Sequence, residues 1–134
     1  MSKAVVFLAD GFEECEGLLA VDLLRRAGCA VDTASISKQR QITSSHGVCL
    51  MADALAAEVD FSDVDMIVLP GGLGGVASAR ASQAALDALK WAWDNSRFVA
   101  AICAGPTVLA DLGITDGRNA TCYPGCENQM GNAH

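Results

Sequence analysis

The fold is decided by residues 3–28, which read KAVVFLADGFEECEGLLAVDLLRRAG. The apolar, valine-rich run of residues 3–9 predicts a strand buried on both faces. Apolar residues then recur along one stripe of an amphipathic helix, at Ala20, Val21, Leu24 and Ala27. Gly28 is a typical residue for the end of that helix. A strand, a short loop and a helix form the opening half of a βαβ unit.

The rest of the chain continues this alternation of strands and helices. Buried strands are predicted over residues 29–36, 65–69 and 98–102, and a hairpin at a sheet edge over residues 41–51. A helix is predicted from Ser82, its N-cap, to Asp94, and a short one runs to Leu112. Strands that alternate with helices predict a parallel sheet that is covered on both faces.

Length and composition narrow the class of protein. The chain has 134 residues, which predicts a single domain over 1–134, and 51% hydrophobic against 19% charged residues argues against disorder. A net charge of −7 disfavours nucleic acid or an anionic membrane as partner. The sequence offers neither a signal-peptide core nor an apolar run of membrane-spanning length, which predicts a cytoplasmic protein with free thiols at its six cysteines.

The end of the chain does not fit this pattern. After Thr121 there is little apolar periodicity, and the three predicted helices all lie before residue 113. A parallel sheet needs cover on both faces. We therefore expect a domain that lacks its last elements, which are disordered, absent, or supplied by a C-terminal fragment of the same protein that stays bound.

Cys103 is the strongest chemical signal. It follows the apolar strand of residues 98–102 directly, and ligands of open parallel sheets bind at the carboxyl ends of strands. Ala101 and Gly105 supply the small residues of a nucleophile elbow. The N-terminus of the next helix would favour the thiolate, which predicts the lowest thiol pKa of the six cysteines for Cys103. The alternative is a cysteine buried as a small hydrophobic residue.

Glycines after the strand of residues 65–69 indicate a second part of this site. Gly71 and Gly72 let the backbone turn sharply and point N–H groups at an anion, which together with the Ala104 N–H predicts an oxyanion hole. Residues 72–77 also match the GxGxxA dinucleotide motif. That alternative is weak, because the acid at the right distance, Asp94, falls within a predicted helix.

Three acids, Glu13, Glu14 and Glu16, open the first helix, and two explanations stay open. All three could simply interact with the helix dipole. Glu16, one turn into the helix, could instead reach the crevice at the strand ends and share a proton with Cys103.

The sequence gives little support for a metal or cofactor site. Cys122, Cys126 and His134 form only a weak metal-ligand pattern, so we predict neither a metal ion nor a cofactor. His46, in the predicted hairpin, is expected to be solvated rather than catalytic.

Four segments, in order and at compatible spacing, resemble the ThiJ/PfpI family, and within it the deglycase branch. They are residues 10–16 (DGFEECE), 21–28 (VDLLRRAG), 68–72 (VLPGG) and 100–106 (AAICAGP). The resemblance implies a flavodoxin-like three-layer α/β/α sandwich, usually a homodimer. It also implies that Cys103 is the reactive cysteine, that Glu16 is hydrogen-bonded to it, and that Gly72 and Ala104 are the backbone donors.

The chain departs from the family pattern at three positions. Ala104 stands where members with peptidase activity have histidine, which removes the base of a cysteine peptidase. Tyr123 stands where the deglycase branch has a histidine before the proline, and His46 where it often has an arginine. We expect Tyr123 and His46 to be accessory residues at most. The chain also stops before the family's Gly-Pro-Gly segment and final helix.

Two functions follow from the residues and the resemblance. The first is a cofactor-independent enzyme that acts on small reactive aldehydes such as methylglyoxal, free or as adducts on proteins, through the Cys103 thiolate assisted by Glu16. The second is a non-enzymatic redox sensor or chaperone-like protein in which Cys103 is oxidised to a sulfinate. A cysteine peptidase is a third and less favoured hypothesis.

Overall fold

A parallel sheet forms the centre of the computed structural model, which describes residues 2–134. The strands are β1 (Lys3–Leu8), β2 (Ala30–Ser35), β3 (Gln41–Thr43), β4 (Cys49–Met51), β5 (Ala54–Leu55), β6 (Met66–Leu69) and β7 (Phe98–Ala101). The α-helices are α1 (Glu14–Arg26), α2 (Leu73–Ala81), α3 (Gln83–Asp94) and α4 (Pro106–Asp111). The sheet has the order β5-β2-β1-β6-β7, with every pairing parallel, as the sequence predicts.

Helices cover both faces of this sheet, and β1 shows why. Its side chains alternate: Val5 and Phe7 lie in a core cluster that includes residues of α2, α3 and α4, while Val6 and Leu8 lie in a second cluster with Val21 of α1. A strand that packs on both faces has no polar side, which accounts for its continuous apolar run. The predicted α/β/α architecture is confirmed.

The hairpin is present but is not part of the main sheet. β3 and β4 pair antiparallel as a separate two-stranded sheet. The strand at the edge next to β2 is instead the short β5, which pairs through Ala34 and Ser35. Sequence reasoning missed β5 because two residues carry no periodic signal, and it placed the hairpin at the sheet edge incorrectly.

Helix α2 is a second difference from prediction. The glycine-rich run that opens it argues against a helix, because glycine lowers helix propensity by about 1 kcal/mol per residue. Packing requires these glycines, since a Cβ at Gly75 would lie 2.8 Å from Phe12 Cα. The next helix begins as predicted, with the Ser82 side chain accepting from the Ala85 N–H. Within residues 2–134, none of the helices is long and apolar enough to cross a bilayer.

The segment after α4 contains one 3-10 helix, Glu127–Gln129, and no α-helix between residues 112 and 134. A groove of about 340 Å³ runs along α1, β6 and β7, and leaves Leu19, Leu23 and Ile102 more than half exposed. Four α-helices rather than three precede residue 113. The expectation of further covering elements stays a prediction.

Candidate active site

Cys103 lies at a sharp turn between β7 and α4. Its φ of 62° places a non-glycine residue in the left-handed region, which costs energy and is typical of functional sites. A Cβ at Gly105 would lie 2.9 Å from the carbonyl oxygens of both Ile102 and Leu69, so only glycine fits there. This is the backbone geometry that the elbow spacing predicts.

Gly71 packs against both Cys103 and Glu16. A Cβ at this position would lie 2.6 Å from the Cβ of Cys103 and 2.7 Å from Oε2 of Glu16. The Gly71 N–H donates to the same Oε2 at 3.3 Å. The structure therefore brings the predicted Cys103 and Glu16 together, and their closeness depends on a residue without a side chain at position 71.

Burial raises the pKa of the Cys103 thiol above its ordinary value, and Glu16 adds to this through a hydrogen bond and its charge. The backbone N–H groups of Ala104 and Gly72 interact with the sulfur and act in the opposite direction. The prediction of a lowered pKa for Cys103 is therefore wrong in direction. A carboxylate held against the thiol and partial desolvation outweigh the two backbone donors.

The three acids at the start of α1, Glu13, Glu14 and Glu16, each have a different partner. Glu13 precedes α1 as its N-cap, and its carboxylate accepts from the Glu16 N–H at 2.7 Å. Glu14 turns to the hairpin, accepting from the Ser45 hydroxyl at 2.9 Å and lying 3.0 Å from His46 Nδ1. A hydrogen bond from its own N–H, with His46 and Ser45, lowers the pKa of Glu14 to about 2. Glu16 alone faces Cys103.

The two expected accessory residues occupy different places. His46 is exposed, and its polar contacts are Glu14 and Ser45 rather than Cys103. Tyr123 reaches the elbow through its backbone, whose N–H donates to the Cys103 carbonyl at 2.7 Å, while the residue as a whole is 54% exposed. Sequence alone did not indicate this backbone contact.

The glycines of the dinucleotide-like motif serve internal packing. A Cβ at Gly72, whose φ is 92°, would collide with the Gly11 carbonyl oxygen and lie 2.6 Å from the Glu13 nitrogen. A Cβ at Gly74 would lie 3.2 Å from the Gly11 Cα. The loop before α1 thus fills the space beside these glycines, which disfavours the dinucleotide alternative.

Potential metal ligands converge at one place among residues 2–134. Glu13, Glu14 and His46 offer ligand atoms that all lie within 4.8 Å of one another. This group differs from the cysteine-histidine pattern noted in the sequence. Two of its members, Glu13 and Glu14, already accept hydrogen bonds within the protein.

Comparison with known proteins assigns the chain to a family. Residues 2–134 match the DJ-1/PfpI family model. The chain belongs to the DJ-1/PfpI family. This confirms the resemblance carried by the four sequence segments, and it places the Glu16–Gly71–Cys103 arrangement within a DJ-1/PfpI domain.

Named members of the DJ-1/PfpI family support the assignment. Protein dj-1beta of Drosophila melanogaster is 41% identical over 133 residues, which cover 98% of this chain and 71% of that protein. A deglycase of Pyrococcus abyssi is 34% identical over 131 residues, covering 98% of this chain and 78% of the relative. The structure of oxidized Toxoplasma gondii DJ-1 has a TM-score of 0.93 at 37% identity, covering 96% of this chain and 71% of that one.

Proposed function

We propose that this DJ-1/PfpI chain carries the reactive site of a cofactor-independent enzyme that acts on small reactive aldehydes, such as methylglyoxal or its adducts on proteins. The observation that carries the proposal is the pairing of the Cys103 thiol with the Glu16 carboxyl across Gly71. A nucleophile, a group that can take its proton, and two backbone donors are what addition to a carbonyl requires.

The raised pKa of Cys103 suggests how the reaction begins. The thiol holds its proton more tightly than a free thiol does, and the Glu16 carboxyl beside it can accept that proton as Sγ attacks the aldehyde carbon. The new C–S bond leaves the carbonyl electron pair on oxygen, which the N–H groups of Gly72 and Ala104 stabilise. Return of the proton to this oxygen gives a neutral hemithioacetal.

The remaining steps need water and no oxidant. For methylglyoxal, Glu16 takes the proton from the sulfur-bearing carbon while the ketone oxygen gains a proton, which gives an enediol. A proton then returns to the former ketone carbon as the hydroxyl on the sulfur-bearing carbon loses its proton, which gives a lactoyl thioester. Hydrolysis of the thioester by one water then releases lactate and regenerates the thiol. On a protein adduct, the bond between the aldehyde carbon and the protein nitrogen or sulfur breaks, the freed amine or thiol takes a proton, and Cys103 then attacks the released aldehyde in the same way. The name of the Pyrococcus abyssi relative, a deglycase, supports this class of substrate.

The test is methylglyoxal turnover, measured as lactate formed by the purified full-length protein. Cys103→Ser should abolish turnover, because a serine hydroxyl is a much poorer nucleophile at neutral pH. Cys15→Ser is the matched control, since Cys15 is an exposed free thiol on α1 and the chemical change is identical. Wild-type protein without turnover, or equal activity of the Cys103→Ser variant, would refute the proposal.

A redox sensor is the second candidate. The observation in its favour is a half-buried thiol that contacts a carboxyl, which in its protonated form could donate a hydrogen bond to a sulfinate. Peroxide would supply two oxygen atoms in sequence, each with release of water. Peptide mass spectrometry after graded peroxide treatment should then place two added oxygens on Cys103 before any other cysteine, in protein that shows no aldehyde turnover.

Assembly and location are proposed on the family resemblance. We propose a cytoplasmic homodimer, and we propose that a C-terminal fragment of the same protein covers the groove beside Leu19 and Leu23. Light scattering gives the subunit number in solution. Intact mass under denaturing conditions shows whether a second polypeptide co-purifies, and a single 13.8 kDa species that folds alone would remove the fragment from the proposal.

A further inference from the structure

The first turn of α1 depends on a side chain that the proposed chemistry does not use. The first N–H groups of an α-helix lack partners within the helix. Here the Glu13 carboxylate accepts the N–H of Glu16 at 2.7 Å. Glu13 therefore fixes the backbone of the residue whose carboxyl faces Cys103.

Glu13 also forms a backbone hydrogen bond with the loop after β6. Its own N–H donates to the carbonyl oxygen of Gly71 at 2.9 Å. Gly71 packs against both Glu16 and Cys103, and its N–H in turn donates to Glu16 Oε2. Glu13 is therefore hydrogen-bonded to the backbone of both Glu16 and Gly71, the two residues that lie beside the Cys103 thiol.

The loops on either side leave little freedom in this contact. A Cβ at Gly72 would lie 2.6 Å from the Glu13 nitrogen and 2.9 Å from the Phe12 carbonyl carbon. The loop before α1 and the loop after β6 therefore pack backbone against backbone as one unit. The Glu13 carboxylate is the side-chain contact that extends this unit into α1.

We propose that Glu13 is a positioning residue that holds the Glu16 carboxyl against Cys103 by capping the Glu16 N–H and anchoring the Gly71 carbonyl. This rests on the proposed function for its consequence in catalysis. Its structural consequence, the placement of Glu16 beside the thiol, can be measured independently of any aldehyde.

The test compares the pH profile of Cys103 alkylation, read by peptide mass spectrometry, with methylglyoxal turnover. In Glu13→Ala the Glu16 carboxylate should leave the thiol, so the alkylation midpoint should move to lower pH and alkylation at neutral pH should rise. Turnover should fall about 10- to 100-fold, because the proton acceptor is misplaced. Partial unfolding would also raise the alkylation of other part-buried thiols, so the shift should be confined to Cys103 while Cys29 and Cys126 keep their wild-type alkylation profiles.

Three further variants separate positioning from other effects. Glu13→Gln keeps an acceptor oxygen without the charge and should behave like wild type. Glu13→Gly removes the carboxylate while glycine remains acceptable at an N-cap, so it should reproduce Glu13→Ala in a stable protein. Ser82→Ala removes the equivalent cap of α3, whose side chain bonds the Ala85 N–H rather than a residue beside Cys103, and should leave the midpoint unchanged.

The outcomes decide the proposal in either direction. An unchanged alkylation midpoint in both Glu13→Ala and Glu13→Gly would overturn it, as would an equal shift in Ser82→Ala. A Glu13→Gln variant that behaves like Glu13→Ala would show that charge rather than the cap is responsible, which also overturns it. If wild-type protein lacks aldehyde turnover, the proposed function fails, and the alkylation profiles still decide the placement of Glu16.

Discussion

Replacing Gly71 by alanine should separate the reactive pair while leaving the fold intact. The added Cβ would lie 2.6 Å from the Cβ of Cys103 and 2.7 Å from Glu16 Oε2. Since ordinary contact begins near 3.4 Å, relief requires about 0.8 Å of movement at the Cys103 contact and about 0.7 Å at the Glu16 contact. The Glu16 carboxyl ends a flexible side chain, so we expect it to be displaced first.

Two magnitudes follow from this displacement. Overpacking of this kind costs about 1–3 kcal/mol of stability. A misplacement near 1 Å of a group that transfers a proton can lower the rate about 100-fold. Gly71→Ala should therefore remain folded at ambient temperature while its turnover of methylglyoxal falls far more than its folded fraction.

Urea unfolding and initial-rate measurements on the same preparations check both magnitudes. Ala92→Val is the matched control, because it also overpacks a fully buried position, on α3, outside the loops that carry Cys103, Gly71 and the start of α1. It should lose comparable stability and keep most of its turnover. Equal activity losses in the two variants, or near wild-type activity in Gly71→Ala, would refute the role assigned to Gly71.

Three other predictions concern charge and packing. Glu16→Gln should lower the pKa of Cys103, because it removes the charge that opposes the thiolate; an alkylation midpoint at or above the wild-type value would contradict this. Burial opposes ionisation of Asp53, but hydrogen bonds from Thr33 and the Arg25 charge hold its pKa below its usual range. The ionised Asp53 carboxylate thus stabilises the fold at pH values above its unfolded-state pKa, and this stabilisation is lost as pH falls through its folded-state pKa. In Asp53→Asn the free energy of unfolding should therefore depend less steeply on pH in the acid range, as measured by circular dichroism. Leu89→Ala, at a fully buried position, should cost about 2–5 kcal/mol in urea unfolding, and a cost below about 1 kcal/mol would show that the site collapses around the cavity.

Local patterns were enough to predict most of the architecture. The unbroken apolar run of β1 and the Ser82 cap of α3 are short-range signals, because strand burial and helix capping depend on residues close together in the chain. Helix α2 was missed for the opposite reason. Its glycines are unfavourable within a helix and are explained only by the approach of Gly11 and Phe12, some 60 residues earlier in the sequence.

Some features of the candidate site could likewise be predicted from the sequence, and others could not. The spacing around Cys103 predicted the elbow, since a sharp turn restricts the size of residues two positions away. The residue pattern alone could not decide whether Glu16 interacts with the helix dipole or with Cys103, and only the family resemblance indicated Cys103. The roles of Glu13 and Gly71 gave no distinctive sequence signal, because an acid before a helix and a glycine after a strand are common features.

The sequence by itself determined the alternation of strands and helices, the sharp turn at Cys103 and the family, because these depend on periodicity, spacing and motif. Only the tertiary structure decided the direction of the pKa shift of Cys103 and the separate partners of Glu13, Glu14 and Glu16. Those properties depend on distances of a few ångströms between loops that are remote in sequence. Desolvation and the charge of a neighbouring carboxylate change steeply over such distances, whereas the sequence pattern stays the same.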